Sequence, residues 1–472
     1  MPSVIRRPPG PRNLPVIGNL RPFRANPLEF IRKAAREYGD LAYFRVVKQH
    51  LYVVGHPDYV REILVTKQNN FVKSRALQRA KILLGEGLLT SEGEHHLRQR
   101  RLVQPAFHRD RLAGYAAAMS ECVVKARERW QPGVSMDVSV EMAKLTLSVV
   151  AKTLFSADID AEAHEIGEAM TSILHMFKVL LMPFSEHLDK LPLPMMKRFE
   201  TARARLDATI YGLIAERRAS GADTGDLLSM LLLAQEEGDE MTDQQVRDEA
   251  ITLFLAGHET GANALTWSWY LLSQHPDVER RLHEEVDRVL GDRAPELADV
   301  PHLRYAEMIL SEALRLYPPA WAIGRKAIAD FSLGGYDIPA GSIFIVSPYV
   351  VQHDARWFPN PDRFDPERWT PEAREARPKF SYFPFGGGAR VCIGERFAWM
   401  EGVILLAAIA QKWRFRLTPG QHVEPLPLVT LRVKNGLRMI AEPRVAAGLQ
   451  GELPQDGSGG RAIAAHDLQR QA

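Results

Sequence analysis

A cysteine stands at position 392 in the run Phe385-Gly386-Gly387-Gly388-Ala389-Arg390-Val391-Cys392-Ile393-Gly394. Glycines carry no side chain, so backbone N–H groups on such a loop can approach a sulfur and point at its lone pairs. The segment 395–413 is patterned as a helix, with Phe397, Ala398, Val403, Ile404, Leu405, Ala408 and Ile409 as its apolar content. Its positive end would face the sulfur and is expected to lower the thiol pKa. A lone thiolate placed this way can serve as an axial ligand of haem iron, where it pushes electron density onto the metal and favours O–O cleavage. The competing reading is a structural cysteine beside a glycine-rich turn, the commoner use of a cysteine taken at random. The length of the Phe-x-x-Gly-x-Arg-x-Cys-x-Gly spacing favours the ligand.

A second constellation lies more than a hundred residues earlier, at Ala256-Gly257-His258-Glu259-Thr260. A glycine inside a helix costs about 1 kcal/mol relative to alanine. Gly257 is therefore expected to admit a flat cofactor and a small ligand, with the helix opened locally to take in water. Glu259 and Thr260 make an acid–alcohol pair of the kind that relays protons during O₂ reduction. Read alone they are ordinary helix residues; the cysteine loop gives them weight. His258-Glu259 begins a His-Glu-x-x-His zinc pattern, but the closing position is Ala262.

Both motifs resemble those of cytochrome P450s. The cysteine loop matches the family's haem-binding loop at every fixed position, and the helix motif matches Ala/Gly-Gly-x-Asp/Glu-Thr. Gly261 departs from the pattern, standing where many members have a second Thr or Ser. The resemblance implies a mainly α fold with a small β region, haem b as cofactor, and Cys392 as the iron ligand. Phe385 and Gly394 would complete the loop, Ala256 would lie against the haem, and Glu259 and Thr260 would form the relay. Cations for the two propionates would be Arg390, Arg325, and His96 with Arg100, which share a helix face at i,i+4. His96 stands where many members have Trp. As a metal site Glu94-His95-His96 ranks low, because no other ligand cluster accompanies it. Glu312-Ala313-Leu314-Arg315, with Arg368, would lock the proximal side structurally. Arg98, Arg101, Lys379 and Arg396 would line the proximal surface for an acidic electron donor.

The elements that must hold these groups are mostly helical. Helices are expected at 109–218 with interruptions, 243–275, 276–290 and 303–316, and strands at 41–47, 50–54, 331–333 and 343–348. Residues 352–378, rich in Pro, Asp and Arg, read as ordered coil. One haem-binding domain is expected over 1–445, with a disordered tail over 446–472. Composition fits an ordinary globular protein: 472 residues, 46% hydrophobic, 25% charged, formal net charge +2. No dense basic run suggests nucleic acid. No apolar stretch is long enough to span a bilayer, and no signal peptide is visible, so a cytoplasmic, bacterial, monomeric protein is expected. With two cysteines, an iron–sulfur cluster is excluded. Cys122 reads as a core hydrophobe.

No Gly-x-Gly-x-x-Gly follows a strand, so electrons should come from a separate ferredoxin or flavodoxin with its NAD(P)H reductase. The implied function is monooxygenation of a small apolar substrate, whether fatty acid, terpenoid or steroid. It would be lined by 76–89, 253–260, 320–323 and 428–431, with 177–196 as an apolar entrance. Two rivals are a peroxide-dependent or isomerising haem-thiolate enzyme and a non-catalytic haem sensor or carrier.

Overall fold

The computed structural model describes residues 6–157, 194–233, 235–236 and 239–444. Most of the apolar entrance expected at 177–196, and the tail expected at 446–472, lie outside the described residues. The longer helices are α1 (Gly93–Val103), α2 (Arg109–Arg127), α3 (Val138–Phe155), α4 (Pro194–Ser220), α5 (Asp243–Gln274), α6 (Pro276–Leu290), α7 (Arg304–Leu316) and α8 (Glu395–Lys412). The fold is mainly α with small sheets, as the sequence predicts.

Helix α5 is the axis of the molecule. Thr242 and Gln245 form a reciprocal capping box at its start, each side chain taking the other's backbone N–H. Pro276 then opens α6 at a first helical position, where its missing N–H is not needed. Most of α5 is buried, because α3, α4, α7 and α8 all pack on it. Helix α8 is buried on nearly every face from Phe397 to Gln411. Trp267 of α5 stacks on Tyr317 just after α7, with ring centroids 3.9 Å apart, which fixes the angle between the two helices. Cys122 packs against this core, as expected of a small hydrophobe.

The larger sheet contains β1 (Leu41–Val46), β2 (Gln49–Val54), β3 (Phe71–Lys73), β5 (Ile323–Ala327) and β6 (Ile343–Val346) in the order β1-β2-β6-β5-β3. Strand β4 (Ser135–Asp137) joins β7 (Trp413–Leu417) and β10 (Arg438–Pro443) in a second sheet. A hairpin pairs β8 (Pro425–Pro427) with β9 (Leu431–Val433). In the larger sheet, β3 and β5 run antiparallel with Lys73 directly opposite Arg325. The coil expected at 352–378 is largely irregular but includes a short helix, Pro371–Glu375.

Candidate functional site

The cysteine loop is held shape-first. Gly386 and Gly388 adopt φ +76° and +69°, the left-handed region that glycine enters freely. A Cβ on Gly388 would also sit 2.0 Å from the Leu64 carbonyl oxygen, so no other residue fits there. The Cys392 N–H donates to the Phe385 carbonyl at 3.0 Å, closing the loop on itself. The backbone N–H of Gly394 donates to the sulfur and favours thiolate. Even so, burial pushes the thiol pKa above its ordinary value; Gly394 and Arg100 oppose this without overcoming it. The expected lowering by the helix end is there, through the N-cap Gly394, but burial outweighs it. Thiols that coordinate a metal are deprotonated outright. Although set deep in the fold, the Cys392 side chain is accessible, so it faces an internal space.

Around that space five basic side chains converge. Arg325 lies opposite Lys73 on the sheet, and Arg390, Arg100 and His96 come from the cysteine loop and α1. Arg390 donates to the Ser91 carbonyl at 2.9 Å and to Glu92 at 2.7 Å, and Arg100 donates to the Val391 carbonyl at 2.9 Å. Burial and the other cations push His96 down to about 3, Lys73 to about 7 and Arg325 to about 10. Like charges placed directly across a ladder are destabilising unless an anion sits between them. Glu92 is the one carboxylate that figures among the charges acting on Arg325 and Arg390. The donor set therefore fits a group bearing two carboxylates, as haem does. Lys73, which donates to the carbonyls of Leu88 (3.2 Å) and Ser91 (2.8 Å), was not singled out in the sequence.

Behind the loop, Glu312 and Arg315 on α7 form a fully buried, two-bond ion pair with both contacts at 2.8 Å. Glu312 also accepts from the Asp365 N–H at 3.0 Å and from the Trp369 indole at 2.9 Å. The expected third partner, Arg368, is present as an ion pair: its Nε lies 3.4 Å from Glu312, though misaligned for a hydrogen bond. Arg368 instead donates to the Pro359 carbonyl at 2.6 Å. Trp369 adds a neutral donor to the lock, a role the sequence reading did not give it.

Across the space, α5 shows an accessible stripe on an otherwise buried helix: Ala256 is exposed, and Gly257, Thr260 and Gly261 are half-exposed. The Thr260 hydroxyl donates to the Ala256 carbonyl at 2.8 Å. Helix α5 runs unbroken through this turn, so the local opening expected at Gly257 is absent. Gly257 has a different reason: a Cβ there would meet Val150 of α3 at 3.0 Å. Glu259 turns away from the stripe into a closed ion pair. Arg432 on β9 grips both carboxylate oxygens, Thr430 donates at 2.6 Å and Asn263 at 3.1 Å. Burial works to raise the Glu259 pKa, but Arg432, with His258 and Thr430, holds it below the ordinary carboxylate value. His258 is buried, with Nδ1 3.2 Å from the Thr146 hydroxyl, and no cluster of metal-ligating side chains occurs among the described residues.

Two further acids were not visible in the sequence. Glu401 of α8 is buried against Gly261, where a Cβ would lie 2.7 Å from its Oε2, and its Oε1 has no partner among the described residues. Burial alone pushes it up to about 8. Glu249 of α5 accepts the Leu88 N–H at 3.0 Å while its other oxygen stays unpartnered, and burial pushes it to about 7. Of the segments expected to line a substrate, 320–323 and 428–431 meet, while 76–89 reaches the turn of α5 just before 253–260. Trp321 donates to the Leu428 carbonyl at 2.9 Å, Leu431 N–H to the Pro319 carbonyl at 3.0 Å, and the 85–88 loop lies on Asp248 and Glu249.

A glycine-shaped loop with an accessible thiol, faced by basic side chains matched to two carboxylates and by the Thr260 stripe of a long helix, is the arrangement of a haem-thiolate protein. The cytochrome P450 family model matches residues 8–437, and the chain belongs to that family. It is 43% identical to cyclooctatin synthase of Streptomyces melanosporofaciens, over 92% of this chain and 95% of that one. It is 36% identical to the pentalenene oxygenase of Streptomyces avermitilis, over 91% and 96%. Among solved structures, a cyanobacterial P450 with retinoic acid bound is similar at a TM-score of 0.84 and 26% identity, covering 94% of this chain and all of that one. The protein is a haem b-dependent P450 monooxygenase, and it needs electrons from a redox partner and an apolar substrate. No helix among the described residues is long and apolar enough to cross a membrane.

Proposed function

We propose that this monooxygenase hydroxylates a terpenoid, with residues 1–445 acting as one domain. The relatives support the substrate class: their names include pentalenene oxygenase and cyclooctat-9-en-7-ol 5-monooxygenase. An apolar slot discriminates weakly among similar hydrocarbons, so the class is better supported than any one compound. Haem, when bound, supplies the redox chemistry of O₂. Cys392 would hold its iron, with Phe385 and Gly394 shaping the loop and Ala256 allowing close approach. His96, Arg100, Arg325 and Arg390 would bind its propionates.

The observation that carries the reading is Thr260, whose hydroxyl lies on the accessible stripe beside the buried Glu259. Thr260 would hold and pass the proton, and Glu259 would set the charge behind it. Electrons would come from a ferredoxin or flavodoxin with its NAD(P)H reductase, and the protein would act as a cytoplasmic monomer. With surrogate partners, Thr260→Ala should cut product at least tenfold while NAD(P)H oxidation continues and peroxide accumulates. A spin-shift screen over terpenoids, fatty acids and steroids should respond most strongly to the first. Efficient turnover on peroxide alone, unchanged in Thr260→Ala, would sink the proposal.

A further inference from the structure

We propose that the turn Leu14-Pro15-Val16-Ile17, with the arginines around it, is a docking surface for an anionic lipid bilayer. The inference rests on surface geometry and stands apart from the catalytic reading. These four consecutive apolar residues are all exposed, Val16 to 79%. Single exposed apolar side chains are ordinary, whereas a contiguous run marks an interaction site.

The backbone of the turn gives a second, independent sign. Val16 adopts φ +60°, a conformation β-branched residues seldom enter. The turn is not slack. Gly18 N–H donates to the Leu14 carbonyl at 3.1 Å, Val47 N–H to the Ile17 carbonyl at 3.1 Å, and Asn19 N–H to the Arg45 carbonyl at 2.6 Å. Asn13 Oδ1 accepts from Arg45 N–H at 2.7 Å and from the Asn19 amide at 2.9 Å. Strain is thus held by a rigid base at a residue that packs against little. Strain of this kind points to use.

Charge selects the occupant. Residues 6–28 contain Arg6, Arg7, Arg12, Arg21 and Arg24 and no acid, although the whole chain is nearly neutral. Arg6 lies over Tyr336 and Arg7 over Tyr43, while Arg12, Arg21 and Arg24 are exposed. An apolar tip flanked in sequence by exposed cations matches the boundary between acyl chains and anionic headgroups. Contact would be peripheral, by side-chain insertion and headgroup attraction. An apolar substrate partitions into the same bilayer.

The test is co-sedimentation of the full chain with phosphatidylglycerol-containing vesicles and with phosphatidylcholine vesicles, at low and physiological salt. The parent should partition onto the anionic vesicles, less so as salt rises. The triple variant Arg12→Gln, Arg21→Gln, Arg24→Gln should bind on the order of a hundredfold more weakly. Val16→Asn should raise the melting temperature, because Asn tolerates left-handed backbone, and should weaken partitioning. Equal binding to both vesicle types, or variants that sediment like the parent, would overturn the inference. So would self-association without lipid that Val16→Asn abolishes, since the occupant would then be a second copy.

Discussion

The two sides of the thiol loop treat buried charge in opposite ways. On the proximal side, Glu312 has both oxygens paired: two bonds from Arg315, one from the Trp369 indole and one from the Asp365 N–H. On the distal side, Glu249, Thr252 and Glu401 each keep a buried oxygen without a partner among the described residues. Fully satisfied networks rigidify, and partly satisfied ones leave groups free to exchange protons or partners. Around Glu312 the proximal side is built to stay still behind the Cys392 loop, with the Arg368 Nε its exception. The distal side keeps polar groups in reserve where protons must move.

The contrast can be broken most sharply at Glu312. Glu312→Gln leaves Arg315 buried without its counter-charge, which should cost about 3–5 kcal/mol. Thermal unfolding and haem retention measure the loss, and a melting point close to the parent's would dissolve the contrast. Glu401 comes next. Its folded pKa of about 8 lies above its unfolded value, so its contribution is full below the ordinary carboxylate range and fades as pH rises toward 8. Parent stability should fall through that window by roughly 1 kcal/mol per pH unit, and Glu401→Gln should remove this slope. Urea midpoints between pH 5 and 9 would show it; parallel curves would count against a protonated carboxyl.

Arg432 tests a distal acid that is paired. Held below its usual pKa, Glu259 stabilises the fold above the carboxylate range, and that contribution is lost as pH falls through the depressed value. In Arg432→Gln the hydrogen bonds from Thr430 and Asn263 oppose burial without a counter-charge, so the deficit should grow with rising pH to about 2 kcal/mol at neutrality. The pH dependence of denaturant midpoints reads this directly. The smallest effect is expected at Thr252, whose hydroxyl is buried against Gly87 and unpartnered. Thr252→Val should change stability by no more than about 0.5 kcal/mol, and a slight gain is the expected sign.

Local signals reached much of this from sequence. The long helix was expected at 243–275 and runs Asp243–Gln274, and α6 has the expected bounds, because caps and prolines mark those ends. The cysteine loop was legible since its glycines, arginine and cysteine are contiguous. What escaped depends on distant chain segments. Arg432 reaches Glu259 across 173 residues, and nothing near either residue announces the pair. Lys73 was missed because its meaning comes from Arg325 on the neighbouring strand. Strands β5 and β7 to β10 were not foreseen: at three to six residues they carry too little periodicity. Gly257 was assigned to ligand approach, while the structure gives it to Val150 of α3; a glycine in a helix tells that something comes close and not what.

The backbone of one residue ties the two sides together. The Leu88 carbonyl accepts from Lys73, within the cation cluster, while the Leu88 N–H donates to Glu249 on α5. Anything that moves the Leu88 backbone is felt at both ends. A molecule that settles over the distal helix and shifts the 85–88 loop would alter how tightly the cofactor's carboxylates are gripped. By thermodynamic reciprocity, loading the cofactor would change that molecule's affinity by the same factor. Cofactor retention and substrate affinity would then be two readings of a single coupling constant.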